Sequence, residues 1–138
     1  MTDPTLVAIA AVTLGAGLSM YAVFAGADFG GGVWDLLAFG ERKAEQRSAI
    51  SRAMGPVWEA NHVWLIFLVV LLFSGFPVAF SALVTALFWP LHLALAGIVL
   101  RGSAFVFRAY GRAPLGLPDI WPHLFGIASV LTPFAFGA

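Results

Sequence analysis

Cysteine is absent from the 138 residues. That excludes disulfides, thiolate zinc sites and iron–sulfur clusters held by cysteine, and it leaves the redox compartment unmarked. Charge is scarce as well. Only 10% of the residues are charged, where a soluble domain carries about 25%. So little polar surface cannot cover a water-facing globule of this size, and the solvent of most of the chain is lipid. Net charge is zero and the isoelectric point is about 6.8. Nothing in that balance points to nucleic acid as a partner. Alternating apolar–polar runs are missing too, and an open sheet cannot sit in lipid, so strands are not expected. No GxGxxG follows a strand, which leaves nucleotide binding without support.

What is present is apolar helix. Hydrophobic residues make up 61% of the chain and mean hydropathy is +0.94. A spanning helix needs about 20 largely apolar residues. The pattern predicts an all-α integral membrane bundle, one domain over residues 1–138, with four transmembrane helices at about 5–39, 53–73, 78–106 and 119–138. GERKAEQRSAISR reads as the first loop and Ser74-Gly75-Phe76-Pro77 as a tight turn. Gly111, Pro114, Gly116 and Pro118 mark a further loop. Pro122 suits the first turn of the last helix, and Pro133 is expected to kink it. Leu6–Phe24 followed by Ala25-Gly26-Ala27 imitates a cleaved leader. No Lys or Arg precedes it, and the run is long for a leader, so a retained helix is expected.

Orientation follows from the basic residues. Arg42, Lys43, Arg47 and Arg52 lie in the first loop, and Arg101, Arg108 and Arg112 close the third helix. With four helices both groups face one side. That side is cytoplasmic and the N-terminus is outside.

Against this background GPVWEANHVWLI stands out, because it sets Glu59, Asn61 and His62 at the start of an apolar run. At about 1.5 Å per residue, Glu59 lies roughly 10 Å into the second helix, and His62 about 5 Å deeper on the same face. Asp28 is about 15 Å from the inner end of the first helix, with Asp35 one heptad on and nearer the interface. Arg101 closes the third helix near the inner surface. Asp28, Glu59 and Arg101 are therefore expected to meet. An ionisable group at such depth costs on the order of 3 kcal/mol and normally faces protein. Two readings stand: structural charge pairing involving Arg101 and Asp35, and a proton entry path from the cytoplasm. Gly26 and Gly30 form a small-xxx-small pair suited to close helix packing. Trp34, Trp58 and Trp121 fit an interfacial belt, whereas Trp64 is too deep for it and wants a hydrogen-bond partner.

His62 and His92 lie at similar distances on either side of the 74–77 turn. A bis-histidine haem b electron-transfer protein is therefore the alternative reading. Glu59-x-x-His62 also looks like half of a di-iron carboxylate motif, though no second ExxH exists.

GADFGGGVWDLLAF, RSAISRAMGPVWEANHVWLI and ALAGIVLRGSAFVFR together resemble subunit II of cytochrome bd-type quinol oxidases, collinearly over about residues 15 to 112. The resemblance implies a complex in the bacterial inner membrane that oxidises quinol at the outer face and reduces oxygen to water with protons from the cytoplasm. It implies that haems b and d and the quinol-oxidation loop belong to subunit I, the expected partner beside lipid and quinone. Subunit II is then haem-free, with room for a bound quinone, and supports assembly and proton and oxygen access. Residue by residue, Glu59 takes the place of the acid associated with proton uptake. Asp28 matches the acid of the first-helix motif, Asn61 the asparagine beside the second-helix acid, Arg101 a basic residue closing helix three, and Trp64 the tryptophan of the oxygen-access region. His62 joins the proton path as the neighbour of Glu59. Members are usually much longer, with a second set of helices. Ala25 stands where many carry a further acid, and Glu59, Ala60 and His62 make a variant of the common signature.

Overall fold

The computed structural model describes residues 3–110 and 120–137. They are 93% helix, with no strand among them. The elements are α1 (Pro4–Leu37), α2 (Lys43–Gly75), α3 (Pro77–Ala86), α4 (Phe88–Tyr110) and α5 (Trp121–Gly137). Among the described residues three helices are long and apolar enough to cross a membrane: Pro4–Leu37, Lys43–Gly75 and Phe88–Arg108.

Two expected boundaries are corrected. The segment read as a loop over 40–52 is helical from Lys43 onward. Lys, Ala, Glu, Gln and Arg are strong helix formers, and they carry α2 outward from its apolar part and on through Pro56. The expected single helix over 78–106 is broken at Leu87 into α3 and α4. Pro90 explains the break. It has no N–H for the Ala86 carbonyl and its ring crowds that carbonyl, while a proline in the first turn of α4 is tolerated. The Leu87 N–H still closes α3 by donating to the Leu83 carbonyl at 2.8 Å. The start of the last helix at 119 and the loop carrying Arg112, Gly111, Pro114, Gly116 and Pro118 lie outside the described residues.

The chain divides into two compact units. The first holds residues 1–28 and 54–88. Its surface is apolar, with Val12 72%, Val23 69% and Val78 83% exposed. Its buried side chains include Asp28 and Asn61. This is the inverse of a soluble domain and is what lipid as solvent demands, since polar groups there find partners only inside protein. Phe73 and Phe80 meet edge to face at 5.3 Å and tie the end of α2 to α3.

The second unit holds residues 29–53 and 89–138. Its core is small-residue packing: Ala94, Ala104 and Ala128, with Phe29 and Phe125. A Cβ at Gly32 would strike Ser129, and one at Gly97 would strike Thr132. These two glycines therefore set how closely α5 lies against α1 and α4. Without a hydrophobic drive between helices in lipid, such close backbone approach is a main source of association.

Candidate functional site

In the first unit the site begins with two polar residues. Asp28 on α1 is fully buried and Asn61 on α2 nearly so. The Asn61 amide Nδ2 donates to Asp28 Oδ2 at 3.0 Å. Its Oδ1 is closed off from the surface and takes no hydrogen bond among the described residues. Each residue advances about 100° around a helix, so Glu59 stands about 200° from Asn61, on the other side of α2. Its side chain is exposed. The structure thus brings Asn61 to Asp28 and turns Glu59 outward.

His62 is half-buried on the flank between those two faces. Its Nδ1 lies 2.9 Å from the Trp58 carbonyl. A carbonyl accepts and cannot donate, so Nδ1 carries a proton, which leaves Nε2 as the ring nitrogen that can exchange one. The ring also packs against Trp58, centroids 4.7 Å apart. Trp64 is half-buried and meets Phe67 edge to face at 5.8 Å.

The second unit holds the remaining charged groups. Asp35 has no exposure, and both its carboxylate oxygens accept from Arg108: Nη1 to Oδ2 and Nη2 to Oδ1, each at 2.8 Å. This is the bidentate fork that arginine makes and lysine cannot. The Arg47 Nε donates to the Asp35 backbone carbonyl at 3.2 Å. Arg101 is buried, with its guanidinium over Phe29 at 5.0 Å and over Phe125 at 4.7 Å. Its Nε donates to Ser129 Oγ at 2.8 Å, and that hydroxyl donates on to the Phe125 carbonyl at 2.7 Å. His92 is exposed.

From the sequence Arg108 stands out only as a basic residue closing the third helix, and Ser129 and Phe125 do not stand out. A signal existed for the first. Asp28 and Asp35 are one heptad apart on α1, and so are Arg101 and Arg108 on α4. Matched spacings on two helices mark a shared face. Ser129 gave none, because a serine in an apolar helix usually bonds its own backbone, as this one also does.

The arrangement can hold charge in lipid. A buried carboxylate is stabilised by an amide in one unit and by a guanidinium fork in the other, while Glu59 stands on the outer side of α2 and His62 on its flank. Residues 6–138 match the family described as cytochrome bd terminal oxidase subunit II. The chain is 31% identical over 113 residues to the cytochrome bd ubiquinol oxidase subunit 2 of Bacillus subtilis, covering 81% of this chain and 32% of that one. It is 30% identical over 89 residues to the cytochrome bd-I ubiquinol oxidase subunit 2 of Escherichia coli K12, covering 64% of this chain and 23% of that one. The chain thus spans about a quarter to a third of the length of these curated relatives. No solved structure matches it. By the near-complete match of its length to the family pattern, the chain belongs to the cytochrome bd terminal oxidase subunit II family.

Proposed function

We propose that the chain is a haem-free membrane subunit of a bd-type quinol:oxygen oxidoreductase in the bacterial inner membrane, with its N-terminus outside. It supports assembly of the complex and gives cytoplasmic protons and oxygen access to a haem-bearing subunit I. Haems b and d belong to that partner, and a quinone is the expected small-molecule neighbour.

The observation that carries the reading is the distribution of proton-holding groups on α2. Glu59 faces out from the inner half of the span. His62, one turn on, donates from Nδ1 to the Trp58 carbonyl at 2.9 Å, so Nε2 is the nitrogen left to exchange a proton. Asn61 on the opposite face holds the buried carboxylate of Asp28 at 3.0 Å. In this reading Glu59 takes up the proton and His62 receives it at Nε2. The Asp28–Asn61 pair sets a second acid, held by an amide, on the inward side of the same helix. Trp64 lines the route of oxygen.

The test is the Glu59→Gln variant in the assembled complex. Oxygen uptake is expected to slow while the haem absorbance spectrum stays unchanged. Uptake at the wild-type rate would remove the proton role.

A further inference from the structure

Three charged side chains meet at the basic end of the second unit. Asp35 lies just before the end of α1, Arg47 one turn into α2 and Arg108 in the last turn of α4. The Asp35 carboxylate is fully taken by Arg108, through Nη1 and Nη2 at 2.8 Å each. Arg47 is the second cation beside that one acid, and it reaches only backbone. Its Nε donates to the Asp35 carbonyl at 3.2 Å. Arg108 Nη2 also donates to the Arg47 carbonyl at 3.5 Å, so the ion pair holds Arg47 by its main chain as well.

Neutralisation at this end is incomplete. A guanidinium carries five N–H donors in a fixed fork. Arg47 uses its Nε, while Nη1 and Nη2 have no hydrogen bond or ion pair among the described residues. The side chain is half-buried. Glu41 and Glu45, the nearby acids, are exposed and hold no base among the described residues. Residues 35–52 and Arg108 together carry five bases against three acids. A surplus fork of this kind matches an anion with two oxygens side by side.

The surroundings select which anion. Trp34, Leu37 and Phe39, which flank Asp35 in sequence, are 70%, 57% and 82% exposed. Lys43 is exposed and lies one turn before Arg47, on the same side of α2. Cations set against bare apolar surface at the end of spanning helices fit a phospholipid, whose phosphate diester sits directly above its acyl chains. We infer that Arg47, with Lys43 beside it, binds the phosphate of an anionic phospholipid in the leaflet that this end of the chain faces. The Asp35–Arg108 pair is the frame that keeps the Arg47 fork in place. The inference needs the chain to lie in a bilayer and takes nothing from the oxidase reading.

The test is native mass spectrometry of the full chain, purified from membranes with whatever subunits accompany it and stripped of lipid in detergent. Titration with dioleoylphosphatidylglycerol is expected to give a one-to-one adduct. Arg47→Gln is expected to weaken that adduct about tenfold or more, the loss of a charge-assisted fork. Arg52→Gln, at an exposed arginine that donates to Ser48 Oγ, is expected to leave it unchanged. Inorganic phosphate in excess is not expected to displace the lipid; displacement would make this a free-phosphate site and overturn the lipid assignment. Equal binding by Arg47→Gln and wild type would overturn it too, as would no adduct in the wild type, the result if a protein carboxylate already fills the fork. Should Arg47→Gln fail to accumulate, the wild-type chain decides alone. Phosphatidylglycerol with a photoreactive headgroup is then expected to label residues 39–47, and labelling confined to other segments would sink the site.

Discussion

Asp35 and Arg108 illustrate what a single residue does in this chain. The carboxylate has no exposure and both its oxygens are held at 2.8 Å. Removing one partner leaves the other charge buried and unpaired, which costs about 3–5 kcal/mol. Asp35→Asn is therefore expected to lower the melting temperature of the purified complex and its yield in membranes. Arg108→Lys is expected to rescue little, since an ammonium cannot reproduce the fork. Asn61→Leu strips the Asp28 carboxylate of its amide donor. Its expected cost is about 1–3 kcal/mol, read in the same melting experiment. The histidines separate the oxidase reading from the haem b alternative. His62→Ala and His92→Ala are expected to leave the Soret band of the purified complex unchanged; a band lost in each would favour bis-histidine ligation in this chain.

At the scale of elements, proline and glycine decide more than hydropathy does. Pro90 separates α3 from α4. Pro90→Ala restores a donor to the Ala86 carbonyl and is expected to join the two helices. The measurement is hydrogen exchange of the amides around Leu87, which should slow. Gly97 faces Thr132, and Gly32 faces Ser129, which holds Arg101. Gly32→Ala is expected to displace Ser129 and loosen α5, with easier proteolysis after Trp121. Gly32→Leu should be worse; stability equal to wild type in both would contradict the close packing. The extension of α2 back to Lys43 belongs at this scale too. The charges of 43–52 suggest a loop, yet charge marks where lipid ends and says nothing against helix.

At the scale of the whole molecule, topology is the prediction that remains. The basic residues at 42, 43, 47 and 52 are expected in the cytoplasm. A cysteine introduced at Glu41 should react with a membrane-impermeant maleimide in inside-out vesicles and stay unreacted in intact cells. Labelling in intact cells would reverse the orientation and with it the cytoplasmic mouth of the proton path.

The sequence by itself determined the solvent, the helical class and the family. Each is a matter of counting: charge against apolar residues, run lengths, and the order of motifs along the chain. It also supplied the polar residues of interest. What it left open was their partners. Asn61 belongs with Asp28, Asp35 with Arg108 and Arg101 with Ser129, while Glu59 looks outward. The reason is rotational. A helix apolar on nearly every side carries little in its own pattern to say which face turns inward. The turn about its axis, at about 100° per residue, is settled only when neighbouring backbones close on Gly32 and Gly97 and the buried charges find each other.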